Sequence, residues 1–493
     1  MPATLSPAPS PHGTRSRGVP WAMLTAVLVA QSLVAAINLA IPLISASPLH
    51  PSPSQLLWIV DTYVIVFAGL LVPAGALGDR FGSKGALLSG LALFAAGTAL
   101  CALAPNVPLL LAGRGISGAG AALVMPATMS LLLYVTEPRR HGGAIASWSA
   151  AVAMGGLLGN TGGALILQYL PWQGLFWAYV PLGVVLLAWA ARVAPRPPRG
   201  GAALDVPGSG LLMAGLLALL YGIIEGPSHG WSSPLVLGAF ALASLMLAAF
   251  AGHGLRTAHP VLDPRLFRLP AVSSGTLGLA ATFFGMFALF FVNAQFLQYV
   301  KGFSPLEAGL GVLPVAVGIM VFTRRSLAWA ARLGRIRTVT AGLLLIAAGL
   351  AALSTADAGT PYPLYALWLL VMALGCGAAM PSLSGAVVTA LPQEKAGVGS
   401  GLNAAARELG AALGIAVVGT ALSVRFSARL PQGAADGSPA QALQAARGPG
   451  GAVHTEVLSA YTDAVSLAYR VAAVVIVVLA AAVAAGLRRE RRS

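Results

Sequence analysis

The chain has 493 residues, of which 57% are hydrophobic and 9% charged, whereas a soluble domain carries about a quarter charged residues. So few charges cannot build a water-facing surface, which excludes a soluble enzyme or binding module and implies a lipid-facing one. The formal charge of +15, from 29 Lys+Arg against 14 Asp+Glu, is not read as a nucleic-acid surface. The basic residues sit in short loops between apolar runs, where a membrane protein needs them.

In chain order, residues 1–19 are Pro- and Ser-rich with Arg15 and Arg17, and read as a disordered cytoplasmic tail. The first apolar run is longer than a signal-peptide core, so no cleaved leader is expected. A span needs about 20 apolar residues, and fourteen candidates follow: 20–44, 55–77, 85–104, 108–134, 142–169, 173–193, 206–225, 233–252, 272–299, 305–330, 338–354, 361–390, 397–424 and 465–487.

In the first span Asn38 is the notable polar residue. The second carries Asp61, flanked by Trp58 and Tyr63, and Trp58 is equally an interfacial anchor. Arg114 lies in the fourth span. Asp61 and Arg114 each sit about 9 Å below the outer membrane surface at 1.5 Å per residue. Intramembrane charges are functional candidates, and equal depth permits a pair. An acid that pairs with Arg in one state and takes a proton in another is a simple coupling device; a static buried pair is the plainer alternative.

Gly78-Asp79-Arg80-Phe81-Gly82-Ser83-Lys84 joins the second and third spans. Its glycines permit a tight turn, and Asp79 could face the N-terminus of the third helix. It lacks the P-loop spacing, and Gly118-Ala119-Gly120 lies inside an apolar helix rather than after a strand. No nucleotide site is expected, and an ion gradient is the available energy source. No other cofactor is expected. In the fifth span Gly155, Gly159 and Gly163 fall at i, i+4 and i+8, beside Gly156 and Gly162. Such faces let helices approach closely, either as static packing or as a sliding seam between bundles.

Basic linkers at 194–205 and 253–271 bracket the seventh and eighth spans, giving six helices, two, then six. A six-plus-six layout suits a two-bundle transporter. The ninth span is aromatic, with Phe283, Phe284, Phe287, Phe290, Phe291 and Phe296, most of them expected to face lipid. It also carries Asn293, and Gln295, Gln298 and Tyr299 share one face; aromatic walls with a few amides suit a drug-like, cationic ligand. In the thirteenth span Arg407 and Glu408 lie near the midplane, with Gly397/Gly401 and Gly410/Gly414 beside them. Glu408 is a second proton or cation-site candidate, or a packing ion pair. Residues 425–464 read as a long flexible outer loop. Cys101 and Cys376 lie in separate apolar runs and imply neither a disulfide nor a metal site.

The charges orient the chain. With the N-terminus inside, 22 of the 29 Lys and Arg fall on the cytoplasmic side, five outside and two, Arg114 and Arg407, within spans. The positive-inside rule then puts both termini in the cytoplasm.

These residues resemble the fourteen-helix drug:proton antiporter branch of the major facilitator superfamily. Gly78–Lys84 resembles that superfamily's loop between helices 2 and 3, and Arg114-Gly115-Ile116-Ser117-Gly118-Ala119-Gly120 its helix-4 motif. Trp58-Ile59-Val60-Asp61-Thr62-Tyr63 is similar to helix 2 of the quaternary-ammonium and methyl-viologen exporters. Ser304-Pro305-Leu306-Glu307-Ala308-Gly309 and Arg407-Glu408-Leu409-Gly410 fit the same branch. The resemblance implies alternating access, with inward proton flow driving export. It gives Gly78, Asp79, Arg80 and Gly82 a part in the conformational switch, and Arg114 and Asp61 parts in coupling and cation recognition. Two positions depart from the pattern. Leu33 stands where the branch carries a helix-1 Asp, and Gly159-Asn160-Thr161-Gly162-Gly163 replaces the helix-5 Gly-Pro motif.

The expected protein is therefore an all-α major facilitator fold. It has a tail at 1–19, a six-helix bundle at 20–193, a two-helix linker at 194–271, a second bundle at 272–487 and a basic tail at 488–493. It is read as a proton-coupled exporter of hydrophobic, cationic drugs or antibiotics in a bacterial plasma membrane, not an enzyme and not a nucleic-acid binder. Asp61, Arg114 and Glu408 are assigned to coupling. Asn38, Trp58, Tyr63, Gln295 and Gln298 are assigned to substrate, and Gly155, Gly159 and Gly163 to the switch. A specific-metabolite transporter, or a non-transporting receptor or scaffold, are the alternatives.

Overall fold

The computed structural model describes residues 18–137, 140–197, 205–258, 260, 262–390, 396–430, 442 and 451–490. Of the expected tail at 1–19, residues 1–17 lie outside them and 18 and 19 open the first helix; of the expected tail at 488–493, the last three residues lie outside them. Every regular element among the described residues is helical. In order they are α1 (Gly18–Ser45), α2 (Pro53–Phe81), α3 (Ser83–Ala102), α4 (Val107–Val135), α5 (His141–Tyr169), α6 (Trp172–Val193), α7 (Val206–His229) and α8 (Pro234–Arg256). After a 3-10 turn at Pro264–Arg268 come α9 (Pro270–Tyr299), α10 (Pro305–Leu310), α11 (Leu313–Leu333), α12 (Arg335–Leu353), α13 (Tyr362–Thr389), α14 (Ala396–Arg429) and α15 (Gly451–Glu490). Among the described residues, fourteen stretches are long and apolar enough to cross a membrane, the tenth running from α10 into α11.

Helix starts follow side-chain chemistry. Ser52 and Gln55 form a capping box at α2. Asn106, Asp205 and Ser233 accept from backbone N–H groups at the starts of α4, α7 and α8, satisfying donors that have no partner within the helix.

Close glycine contacts define two six-helix bundles built alike. In the first, α3 meets α4 so tightly that a Cβ on Gly120 would lie 2.6 Å from the Gly90 carbonyl oxygen. In the second, the third and fourth spans do the same: a Cβ on Gly342 would lie 2.9 Å from the Gly375 oxygen. The first and fifth helices also pair in each half. Gly155, Gly159 and Gly163 of α5 lie on Leu28, Ser32 and Ala36 of α1, and Gly410 and Gly414 of α14 lie on Ala280 and Phe284 of α9. The tight turns match too, α2 to α3 through Gly82 (φ 104°) and α11 to α12 through Gly334 (φ 86°). The α7–α8 hairpin sits beside both bundles. Met213 of α7 fills the space over Gly69 of α2, while Thr420 of α14 donates its hydroxyl to the Ile223 carbonyl of α7 at 3.1 Å.

Several expectations change. The outer loop expected at 425–464 is helical at both ends, because α14 runs to Arg429 and α15 starts at Gly451. Its alanines favour helix, and Arg425 and Arg429 meet Asp463 at 2.7 and 3.5 Å to tie the two extensions together. The tenth span is broken after Leu310. Ser304 and Glu307 form a capping box on the short α10, and a Cβ on Gly309 would lie 2.8 Å from the Asn160 carbonyl of α5. The link between α2 and α3 is Gly82 alone, since Gly78 is helical. No side chain caps α3, and the Asp79 side chain lies outside the described residues.

Candidate functional site

Asp61 and Arg114 are both fully buried, on α2 and α4. They do not form the expected ion pair. Arg114 Nε donates to the Ile59 carbonyl at 2.8 Å and a terminal nitrogen to the Val60 carbonyl at 3.3 Å. Its guanidinium stands 4.6 Å from the centroid of the Tyr63 ring. The fork thus clamps the backbone just before Asp61, and neither Asp61 oxygen accepts a hydrogen bond among the described residues. Equal depth was legible in the sequence, but depth does not fix which way a side chain points around the helix.

The glycines of the Arg114 motif bring α4 into place. A Cβ on Gly118 would lie 2.6 Å from the Tyr63 carbonyl oxygen, and one on Gly113 2.6 Å from the Cys101 sulfur. Tyr63 in turn donates its hydroxyl to the Ala30 carbonyl of α1 at 3.1 Å. α14, which carries Glu408, packs against α2, which carries Tyr63. Glu408 is buried, and Arg407 beside it sits 5.6 Å over the Phe283 ring of α9.

The other substrate candidates scatter. Asn38 is buried in α1, with its amide nitrogen 3.4 Å from the Ala35 carbonyl oxygen and its own oxygen without a donor. Gln295 donates to Phe291 within α9 at 3.0 Å. Gln298 crosses between the bundles, donating to the Leu39 carbonyl of α1 at 3.4 Å. Trp58 donates its ring N–H to Glu225 of α7 at 3.0 Å. Contrary to the lipid-facing expectation, Phe284, Phe291 and Phe296 of α9 are buried and Phe283, Phe287 and Phe290 half-buried. Phe283, Phe287 and Phe290 form a run of ring contacts at 6.3 and 5.9 Å.

The bundles meet near the ends of α1, α5 and α9. Besides Gln298 and Leu39, the Leu306 N–H of α10 donates to Gln168 of α5 at 3.5 Å, and Gly309 lies on α5. Gly155, Gly159 and Gly163 face α1 within the first bundle rather than the second bundle, so they form an internal packing seam and not the sliding one considered above. Arg80, at the end of α2, is exposed. Lys84 caps the end of α6, donating to the Ala191 and Ala194 carbonyls at 2.8 and 2.7 Å.

Sequence reading missed Glu225, which sits at the edge of the seventh candidate span. A carboxylate so near an apolar run was the available signal. No group of His, Cys, Asp and Glu among the described residues could hold a metal ion.

The Major Facilitator Superfamily model matches residues 23–415. The chain is 35% identical to a methylenomycin A resistance protein of Streptomyces coelicolor, over 81% of this chain and 84% of that one. It is 32% identical to a tetracenomycin C resistance and export protein of Streptomyces glaucescens, over 84% and 78%. It is 33% identical to a methyl viologen resistance protein of Salmonella typhimurium, over 80% and 81%. Among solved structures, the inward-facing, occupied form of a bacterial homologue of the human lysosomal transporter Spinster superposes with a TM-score of 0.68 at 17% identity. That match covers 96% of this chain and 98% of the other, and it speaks to the fold alone.

Proposed function

The chain belongs to the major facilitator superfamily, and from that premise we propose that it is a proton-coupled exporter of hydrophobic cations, including antibiotics, across a bacterial plasma membrane. It is a multi-pass membrane transporter of the drug-resistance export type, and not an enzyme.

One observation carries the finer reading. Asp61 is fully buried, and neither of its oxygens has a hydrogen-bond partner among the described residues. Its obvious counter-ion is engaged with backbone carbonyls. A buried carboxylate is costly when charged and unpaired. Its proton must therefore come and go with a change in its surroundings, such as the opening of one side of the bundle pair. Protons entering from outside discharge Asp61, substrate and carboxylate meet when the site opens inward, and Glu408 on the opposite bundle provides the second acidic station. Both termini lie in the cytoplasm, as the charge asymmetry asks. The methyl viologen relative makes a permanently charged aromatic cation a reasonable substrate class.

The test is proton flux in everted vesicles, read by a pH-sensitive dye as ethidium, methyl viologen and neutral antibiotics are added in turn. Proton release on adding a cation, absent in Asp61→Asn at equal expression, is the expected result. An unchanged response in Asp61→Asn would move coupling to Glu408. Silence across the panel would overturn cation export.

A further inference from the structure

We propose that the outer half of the α7–α8 hairpin and Trp58 of α2 form a second binding site, a lateral one, for a lipophilic organic cation. Here α2, α7 and α8 bound a cleft of about 600 Å3, within the drug-sized range of roughly 300–1,000 Å3. Its walls include Trp58, Leu217, Tyr221, Leu235, Gly238 and Leu242. The Trp58 and Tyr221 rings stand 6.3 Å apart at 43°, and aromatic faces attract cations.

The charge comes from Glu225. It lies one helical turn beyond Tyr221 on the same face of α7, and its side chain is only 14% exposed. One oxygen accepts from Trp58 Nε1 at 3.0 Å, tying the carboxylate to the cleft wall. The other accepts from Ser228 Oγ at 2.9 Å and lies 3.5 Å from His229 Nδ1. The other charge-bearing side chains at the hairpin among the described residues, Asp205 at the start of α7 and His253 and Arg256 in the last turn of α8, are at the opposite end.

An apolar, aromatic cleft with a carboxylate at its outer rim is complementary to a lipophilic cation. It is poorly suited to a phospholipid, whose phosphate would lie beside Glu225. The place also bears on transport, because α7 touches both bundles, α2 at Trp58 and Gly69 and α14 at Thr420. This deepens the reading of the chain as a cation exporter and rests on it for the ligand class, but binding is measurable without transport.

The experiment is equilibrium binding of tetraphenylphosphonium, with neutral triphenylphosphine oxide as control, to the purified full-length chain in nanodiscs. Two variants address the cleft. Glu225→Gln removes the charge but keeps an oxygen to accept from Trp58. Gly238→Leu fills the cleft, since nothing lies within 4 Å of a Cβ there. The expected result is loss of one class of phosphonium sites, with at least tenfold weaker binding in either variant, and little binding of the neutral control. In Asp61→Asn that class persists, which separates failure here from failure of the coupling mechanism. Unchanged phosphonium binding in both variants overturns the proposal. So does equal binding of the neutral control, or release of phospholipid by Gly238→Leu with phosphonium binding intact.

Discussion

Arg114 lays its guanidinium 4.6 Å from the centroid of Tyr63, and the Tyr63 hydroxyl reaches on to the Ala30 carbonyl of α1. Three helices are thus joined through one cation and one ring, beside a carboxyl that has no donor among the described residues. The geometry depends on a planar fork, because two different nitrogens donate to successive carbonyls while the plane stacks on the ring. Lysine carries the same charge but cannot reproduce it. Arg114→Lys should insert normally and lose at least tenfold in ethidium efflux. Each lost charged hydrogen bond is worth about 1.5–3 kcal/mol. Tyr63→Phe, which keeps the ring and loses only the bond to Ala30, should fall by a few-fold. Wild-type efflux from Arg114→Lys would show that charge alone suffices.

The α1–α5 seam separates glycines that matter from glycines that do not. A Cβ on Gly159 would strike the Ser32 carbonyl and lie 2.8 Å from Ser32 Cα, whereas Gly156 and Gly162 have nothing within 4 Å. Gly159→Ala must push two helices apart, since backbone offers no rotamer to yield. Overpacking of this kind costs typically 1–3 kcal/mol. Gly156→Ala and Gly162→Ala should be neutral or slightly stabilising, because Ala is the better helix former. Thermal unfolding in detergent checks the order. A Gly159→Ala protein as stable as Gly156→Ala would mean that the helices are not held so close.

The span pattern was legible because lipid enforces it. Each span must satisfy its backbone internally and show an apolar surface, so hydropathy and Lys/Arg placement carry the architecture. The capping chemistry of Ser52 and Ser304 is local and equally readable. What sequence does not carry is the direction in which a side chain points and who waits there. Asp61 and Arg114 share a depth, but the fork turns to the carbonyls of Ile59 and Val60. Trp58 reads as part of the Asp61 motif, yet its partner Glu225 lies 167 residues on, in a hairpin that the six-plus-six pattern treats as a linker. The repeat between Gly82 and Gly334 was hidden for another reason. The turn needs only glycine's positive φ, and neighbouring residues are free to differ.

Outside the membrane, the turn between α12 and α13 offers a test with a defined sign. The Asp357 side chain accepts from the Thr360 hydroxyl and the Thr360 N–H, both at 2.7 Å. Lys301, arriving from the end of α9, donates to the Ala358 carbonyl at 2.9 Å and to the Thr360 carbonyl. The Thr360 hydroxyl first, then its N–H, hold the Asp357 carboxyl below its ordinary range, with Lys301 adding to the effect. Partial burial lowers the Lys301 ammonium, and Asp357 opposes that. A depressed carboxylate favours the closed turn at pH values above the open-chain range of about 4, and that preference fades as pH falls through the lower closed-turn value. In Asp357→Asn the amide oxygen still accepts, but without charge the bonds are weaker. Hydrogen exchange of residues 355–361, expressed as protection factors, should therefore be several-fold weaker than wild type at pH 7, and the two proteins should draw together as pH falls below the carboxyl's ordinary range. Equal protection throughout would mean that the charge does not hold the turn, leaving Lys301 and the backbone bonds to fix it.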